Sequence, residues 1–354
     1  MRLSQVLILL SISLSLSAQF DHRSVFPDLE DDALFDALVS GYKTNSTLSL
    51  SDTRDTLYRR VHFYDDSVRC VYSGLARFLN PIDDPSQQLF DNGGNTDINL
   101  EHSYPRSKGS ADGLAVSDMH HLFPTRVPVN SARASDPFQE LNDNQTTAWF
   151  YKDLTLSSPP SSAIDNFAED TSEGFEPRED FKGNVARAAF YFYTMYRDEA
   201  DDADPDFFEL QRETLCGWHE QDPVDSLEWV RNTIIASYQD DKENPFILDC
   251  RLARLYCSDI STSCRTVSVD NNPTENTWTI YPNVVRRGDR ITINHPTSSS
   301  IARTQVVDEL GQEVYSSASE LSRFRADFVG RVYWVRLLSH DGQVSGWQRF
   351  VVVE

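Results

Sequence analysis

The stretch INLEHSYP at residues 98–105 places a glutamate directly before a histidine at the end of a strand-like segment. A second stretch, SDMHHLFPTRVPVNSARAS at residues 117–135, adds two more histidines. The chain has eight histidines in 354 residues, and three of them fall at positions 102–121. Neighbouring strand residues point to opposite faces, but Pro105 ends the first run, so we expect Glu101 and His102 at a strand end.

The second stretch predicts a short helix. Pro128 favours a helix that starts near Val129, with Asn130 and Arg133 on one face. Histidine takes a proton from water at neutral pH because its unperturbed pKa is about 6.5. Glutamate and asparagine oxygens suit hard cations such as Mg²⁺ or Ca²⁺, and a guanidinium suits a phosphate. The pattern therefore predicts metal-assisted cleavage of a phosphodiester bond.

The net charge of −23 excludes a general affinity for nucleic acid or anionic membranes. Nucleic-acid chemistry in this chain therefore needs a local basic patch or a bound cation. Residues 99–135 are net +1, which is a local reversal of the overall charge. Their charged residues are Arg106, Lys108, Arg126 and Arg133 against Glu101, Asp112 and Asp118.

The adjacent pair His120 and His121 allows a second interpretation, a zinc site shared with His102. Adjacent residues rarely both reach one ion, and no acidic ligand follows at a zinc-protease spacing. We therefore expect the pair to support the site rather than to bind zinc.

The N-terminus has the pattern of a secretory signal peptide over residues 1–18. Arg2 precedes an apolar run from Val6 to Leu16, and small residues follow before Gln19. The run is too short to span a bilayer, and nothing later in the chain reads as transmembrane. We therefore expect a protein that is exported, to the medium or to the cell surface, without a membrane span.

The rest of the chain divides into two regions. Residues 19–265 are mainly helical, with predicted helices at 31–42, 51–64 (capped by Ser51–Asp52), 181–199 and 221–239 (capped by Asp222), and a strand region at 67–79. A polar linker at 266–277 leads to short alternating segments at 278–354, which predict a small antiparallel β-sandwich. The fold class is therefore α+β.

Four blocks in order, EHSYPRSKG, SDMHHLFPTRVPVNSARAS, FKGNVARAAFYFYTMY and WHEQDPVDSLEWVRN, resemble the endonuclease I family. The family belongs to the His-Me finger (ββα-metal) superfamily, and the likeness runs from roughly Leu57 to Asp249. It implies His102 as general base and Glu101 and Asn130 as metal ligands. It also implies an arginine that holds the cleaved phosphate, with Arg133 as first candidate and Arg106 as second. Further residues that support the site or contact substrate are Lys108, Asp118, His120 and His121.

This resemblance implies a secreted, metal-dependent, sequence-nonspecific endonuclease around a His-Me finger core. DNA is the expected substrate, and RNA stays open as a second one. The expected cofactor is Mg²⁺, with Ca²⁺ and Mn²⁺ as alternatives, and the expected state is a monomer. Two other functions stay open: a non-catalytic surface or binding protein on the nuclease scaffold, and another metallohydrolase.

The C-terminal β-region resembles the sorting domains that the type IX secretion machinery reads. The likeness rests on YPN at 281–283, DELGQEV at 308–314 and GRVYWVRL at 330–337. It implies that this machinery is a partner in export. A cargo-binding or adhesive β-sandwich is the alternative.

The five cysteines favour at least one disulfide in an exported protein. DCRLARLYC, from Cys250 to Cys257, reads as helical, and seven helical residues rise about 10.5 Å, beyond the roughly 7 Å that a disulfide tolerates. The following SDISTS is loop-like, so we predict a Cys257–Cys264 bond. Cys216–Cys250 is the second choice, and five reduced thiols are the remaining alternative.

Overall fold

The computed structural model describes residues 23–64, 66–80, 82–258, 260, 279–294, 301–307, 313–317, 323–329, 332–339 and 348–353. The predicted signal peptide at 1–18 and the linker at 266–277 lie outside these residues. The described chain combines α-helices with several antiparallel sheets, which confirms an α+β composition.

All α-helices of the described residues precede residue 258. They are α1 (Asp31–Tyr42), α2 (Leu50–Thr56), α3 (Pro85–Leu89), α4 (Val127–Arg133), α5 (Lys182–Met195), α6 (Arg197–Ala203), α7 (Phe207–Gln221), α8 (Ser226–Ala236) and α9 (Pro245–Leu248). None of the helices described is long and apolar enough to cross a membrane. The prediction for residues 31–42 is confirmed by α1.

The cap of α2 differs from the prediction by two residues. The hydroxyl of Ser49, rather than that of Ser51, accepts the backbone N–H of Asp52. The helix then continues as a π-helical turn at Leu57–Val61. Ser49 and Asp52 share a second hydrogen bond, in which the Ser49 hydroxyl donates to the Asp52 carboxylate at 2.7 Å. The two bonds together favour Ser49 as the cap.

The cap of α8 also differs from the prediction. The helix begins at Ser226, and the Asp225 carboxylate accepts the N–H of Glu228 at 2.7 Å. Asp222 instead ends α7, and its carboxylate accepts the N–H of Gly183 at the start of α5 at 2.8 Å. The local pattern assigned Asp222 to the cap of α8, but in the folded protein its carboxylate bonds to α5 instead.

Helix α5 is the centre of the main hydrophobic core. It packs against α1, α7 and α9 and against the turn that precedes β5 (Leu122–Arg126). Its buried aromatic residues include Phe190, Tyr191 and Phe192. A buried ion pair fixes α8 against it, since the Arg187 guanidinium donates to both oxygens of Glu228 at 2.8 and 2.6 Å.

The strands that precede residue 258 form three sheets. The strands are β1 (Phe63–Tyr64), β2 (Ser67–Arg69), β3 (Ala76–Phe78), β4 (Ile98–His102), β5 (Leu122–Arg126), β6 (Ala148–Tyr151), β7 (Leu154–Leu156), β8 (Ala168–Asp170) and β9 (Phe175–Glu176). The sheet orders are β1-β2-β3, β4-β5 and β7-β6-β8-β9, and every pairing is antiparallel. The predicted strand region at 67–79 corresponds to β2 and β3.

The C-terminal region forms two further sheets. Their strands are β10 (Thr279–Tyr281), β11 (Val284–Arg286), β12 (Arg290–Asn294), β13 (Ile301–Val307), β14 (Glu313–Ser317), β15 (Arg323–Arg325), β16 (Val332–Ser339) and β17 (Gln348–Val353). The orders are β10-β12-β15 and β11-β17-β16-β13-β14. One pairing departs from the antiparallel prediction, because β11 runs parallel to β17. Residues of both sheets share one hydrophobic cluster, while Val332 and Val351 belong to the main core.

The predicted disulfide Cys257–Cys264 is wrong. Cys257 is bonded to Cys216 on α7, with 5.8 Å between the Cα atoms, and this also excludes Cys216–Cys250. Cys250 is itself disulfide-bonded, Cys70 is a free and buried thiol, and Cys264 lies outside the described residues. The cause is packing: the 3-10 segment Cys250–Leu255 lies against α7, a contact that spacing along the chain does not reveal.

Candidate active site

Two antiparallel strands and the helix that follows them carry the predicted site. In the β4–β5 pair, Glu101 lies opposite Phe123 and His102 opposite Leu122. Strand β4 ends at His102, as expected from Pro105. Helix α4 starts directly after β5 at Val127, two residues before the predicted start, and packs against both strands. A β-hairpin thus presents Glu101 and His102 next to the helix that carries Asn130.

Glu101 is buried, with 2% of its surface exposed. Its Oε1 accepts the hydroxyl of Tyr72 at 3.2 Å and lies 3.4 Å from the Nε of Arg133. Burial raises the pKa of Glu101 to about 7, and the charge of Arg133 and the Tyr72 hydroxyl only partly oppose it. The Arg133 guanidinium thus offsets part of the cost of burying this carboxylate.

His102 is partly buried, and its ring orientation is set by the main chain. The ring Nε2 lies 3.0 Å from the carbonyl oxygen of Val116. A carbonyl only accepts, so Nε2 carries the hydrogen and Nδ1 keeps its lone pair. Burial, together with the neighbouring His121 and Arg106, lowers the pKa of His102 to about 3, although the bond to the Val116 carbonyl opposes this shift. The neutral ring therefore offers Nδ1 as a proton acceptor.

Asn130 presents a defined end of its amide. Its Nδ2 donates to the side-chain oxygen of Asn99 at 2.8 Å and to the carbonyl of Leu100 at 3.3 Å. Both hydrogens of the amide nitrogen are engaged on strand β4, so Oδ1 is turned away from the strand.

Arg133 is enclosed within the protein. Its side chain is 0% exposed, and its guanidinium donates to the carbonyls of Ser103 at 2.7 Å and Ala134 at 3.3 Å while stacking over Phe138. The remaining Nε faces Glu101. The assignment of Arg133 as the arginine that holds the cleaved phosphate stays a prediction.

Arg106 is the exposed guanidinium beside the histidine. It lies on a 3-10 turn, Arg106–Lys108, and its charge acts on His102. Lys108 on the same turn is held by Asp204 at 2.6 Å and lies over Phe207. Of the basic residues that the sequence singled out, Arg106 is the exposed one.

Asp118 and the histidine pair form a buried hub behind the site. The Asp118 carboxylate accepts the hydroxyls of Tyr191 at 2.8 Å and Tyr196 at 2.7 Å and the amide of Gln239 at 2.9 Å. Burial raises its pKa, but His120, His121 and these donors outweigh burial and hold it below the usual value. These bonds hold Asp118 directly after the turn Ala115–Ser117. The carbonyls of Val116 and Ala115 in that turn contact Nε2 of His102 and of His121.

The three histidines do not converge on one point. The Nε2 of His120 bonds to the carbonyl of Lys242 at 2.9 Å, and that of His121 to Ala115 at 2.7 Å, whereas that of His102 bonds to Val116. Each ring thus ties a different piece of backbone. This geometry favours the supporting roles over the shared zinc site.

Three further residues hold the site in place. Tyr72 donates to Glu101, Asn99 accepts from Asn130, and Arg231 on α8 donates to the carbonyls of Met119 and Leu122 at 2.5 and 2.9 Å. The position of Asn99, two residues before Glu101, was the one available sequence signal, because such residues share a strand face. Tyr72 and Arg231 are brought in by tertiary packing alone.

A second acidic cluster within the described residues already contains its own cation. Glu140, Glu176 and Glu179 each bring one oxygen within 4.8 Å of the others. The ammonium of Lys182 lies among them, at 3.0, 2.8 and 2.6 Å. Burial lowers the pKa of Lys182, but its hydrogen bonds to these carboxylates outweigh burial and raise it. The cluster is therefore a structural ion-pair network.

The family model described as Endonuclease I matches residues 40–250. The chain belongs to the endonuclease I family. The matched range includes the β4–β5–α4 unit and the α5 core of this endonuclease I chain, and it confirms the family that the four sequence blocks indicated.

Two curated proteins similar to this endonuclease I chain are both named extracellular ribonuclease. The one from Bacillus subtilis is 36% identical over 172 residues, which are 44% of this chain and 53% of the relative. The one from Bacillus amyloliquefaciens is 35% identical over 172 residues, with the same shares. The chain thus spans about half the length of the curated relatives it matches.

A solved structure of PorZ was also compared with the chain. It is described as a bacterial surface component of the type-IX secretion system of Porphyromonas gingivalis. The match covers 24% of this chain and 13% of that one, at 18% identity and a TM-score of 0.20. At that score the likeness carries no argument about fold or function.

Proposed function

We propose that this protein is a metal-dependent, sequence-nonspecific endonuclease that hydrolyses phosphodiester bonds of DNA and RNA. The observation that carries the proposal is the 3.0 Å contact between Nε2 of His102 and the Val116 carbonyl oxygen. This contact assigns the hydrogen to Nε2 and the lone pair to Nδ1, in the same unit as Glu101 and Asn130. The family supports nucleic acid as the substrate, and the names of the two relatives support the inclusion of RNA.

Glu101 and Asn130 would hold the divalent cation. Asn130 fits because both hydrogens of its nitrogen are engaged, which leaves its oxygen as the ligand atom. Glu101 fits because its carboxylate is buried and Arg133 offsets only part of the cost of that burial, so a bound cation would stabilise the ionised form. One carboxylate and one amide oxygen are the donors that Mg²⁺, Ca²⁺ or Mn²⁺ accept, with positions left for phosphate oxygens. When bound, the cation supplies charge stabilisation to the pentacovalent phosphate and its leaving oxygen.

His102 acts as the general base in this mechanism. Nδ1 takes a proton from the attacking water as the water oxygen bonds to phosphorus, and the bond from phosphorus to the leaving oxygen breaks. The leaving oxygen takes up a proton from solvent. The Val116 carbonyl keeps the ring in the tautomer that can accept at Nδ1, and it stabilises the protonated ring afterwards.

The two arginines have different roles in this proposal. Arg106 is exposed beside His102 and is the group that would hold a phosphate of the substrate. Arg133 is buried against Glu101 and acts on the site by positioning that carboxylate. Both residues stay part of the site, with the order of the sequence-based assignment reversed.

Export is part of the proposal. The signal-peptide pattern at residues 1–18 and the extracellular relatives support secretion. The motifs in residues 278–354 support a sorting domain that the type IX machinery reads. The proposal also includes a nuclease domain at residues 19–265 and a monomeric enzyme. This assignment of the C-terminal region rests on its sequence motifs.

The test is cleavage of supercoiled plasmid and of single-stranded RNA by the full chain with Mg²⁺ and with EDTA. We expect both substrates to be cut with Mg²⁺ only. His102→Ala is expected to lose about 10²–10⁴-fold in rate with an unchanged circular dichroism spectrum, as for other lost general bases. Wild-type turnover in His102→Ala, or equal cleavage in EDTA, would refute the mechanism.

A further inference from the structure

Asn99 and Glu101 lie on the same face of strand β4, because they are two residues apart. Helix α4 packs against that strand. Asn130 on the helix reaches the Asn99 side-chain oxygen at 2.8 Å and the Leu100 carbonyl at 3.3 Å. Both of these oxygens only accept, so the end of the Asn130 amide that faces them is the nitrogen.

The orientation of this amide decides whether Asn130 can bind a cation. The oxygen and the NH₂ of an asparagine are nearly equal in size, so packing alone does not select between them. A half-turn of the amide would direct two N–H hydrogens at the ion in place of an oxygen. The Asn99 oxygen distinguishes the two ends, because it accepts from the nitrogen and repels the amide oxygen.

We propose that Asn99 is a positioning residue for the metal site, whose side-chain oxygen holds the Asn130 amide with Oδ1 toward the cation. Asn99 thereby sets the affinity for the ion without contacting it. The inference rests on the proposed function, since it takes Asn130 as a ligand. Loss of a residue that orients a metal ligand typically weakens metal binding by about 10–100-fold.

The test uses Mn²⁺ alone as the probe, with the full chain and no substrate. Free Mn²⁺ is followed by electron paramagnetic resonance during titration of the wild type and four variants. Asn130→Ala removes the ligand, Asn99→Ala removes the acceptor, and Asn99→Asp keeps an acceptor oxygen. Asn95→Ala is the matched control, because Asn95 is exposed on the loop before β4 and donates to the Asp153 carbonyl.

We expect Asn99→Ala to bind Mn²⁺ about tenfold more weakly and Asn99→Asp to bind within about threefold of wild type, in line with a lost and a retained orienting bond. Asn95→Ala is expected to bind as the wild type does. Melting followed by circular dichroism accompanies each titration. Asn99→Asp keeps the test decisive even where Asn99→Ala unfolds, because retained binding then supports the orienting oxygen.

The outcomes separate the two proposals. Wild type that binds no Mn²⁺, or Asn130→Ala that binds as tightly as wild type, overturns the metal-ligand assignment and the inference with it. Loss in Asn130→Ala together with wild-type binding in Asn99→Ala overturns the inference alone. Equal losses in Asn99→Ala and Asn99→Asp also overturn it, because an acceptor oxygen would then make no difference.

Discussion

Removal of the Cys216–Cys257 disulfide is expected to lower the free energy of unfolding by about 4 kcal/mol. The two cysteines are 41 residues apart in the sequence. For a loop of that length the chain-entropy relation gives about 13 cal/mol/K, which is about 4 kcal/mol at 25 °C. The bond joins α7 to the end of the segment that packs beneath it, so it restricts the unfolded chain across the whole of α8 and α9.

Guanidinium chloride unfolding of Cys216→Ser/Cys257→Ser, followed by circular dichroism at 222 nm, measures this effect. The signal reports on the region before residue 258, where all the described α-helices lie. Cys70→Ser is the control, because Cys70 is a buried free thiol whose sulfur accepts only the backbone N–H of Ser73. We expect a distinctly smaller shift for the control. A double variant within about 1 kcal/mol of wild type would refute the loop-entropy reasoning, and a peptide map that links Cys257 to another cysteine would refute the pairing.

Three further outcomes are expected. Arg106→Ala should reduce kcat/KM by about 10–100-fold through lost phosphate binding. Lys108→Ala should cleave at close to the wild-type rate, because the Lys108 ammonium is paired with Asp204. A larger loss of kcat/KM in Lys108→Ala than in Arg106→Ala would contradict the assignment of Arg106. Asp97→Asn should lower the free energy of unfolding by about 1–3 kcal/mol above pH 5. Burial raises the pKa of Asp97, but the N–H groups of Gly94 and Asp91 and the Arg77 guanidinium outweigh burial and hold the pKa below its usual value. The stabilisation by the ionised carboxylate is lost as the pH falls through the folded-state pKa, so the urea unfolding curves of the variant and the wild type should converge in acid. Removal of residues 278–354 should leave a soluble protein with wild-type cleavage rate, and loss of cleavage would make the C-terminal region part of the catalytic unit.

The sequence located the end of β4 and the helix α4 because the relevant signals are local. Pro105 ends a strand, Pro128 starts a helix, and a glutamate beside a histidine with an asparagine further on matches a known pattern. Such signals act within a few residues, so they survive without knowledge of the fold.

Other features could not be read from the sequence because they depend on which surfaces meet. Arg133 shares a helix with Asn130, and only the packing of α4 against β4 shows that its guanidinium is enclosed. The partner of Cys257 was chosen by the contact of α7 with the segment Cys250–Leu255. Asp222 has the local properties of a helix cap, yet its carboxylate accepts a hydrogen bond from the N–H of Gly183 on another helix.

The bond from His102 to the Val116 carbonyl makes the orientation of the proposed catalytic ring tolerant of side-chain substitutions in the turn. A main-chain oxygen is present whatever the side chain, so substitutions at residues 115 and 116 leave the acceptors for His121 and His102 in place as long as the turn keeps its path. The vulnerable property is the route of the backbone. An insertion, a deletion or a proline in this turn would misdirect the ring without altering any side chain of the site.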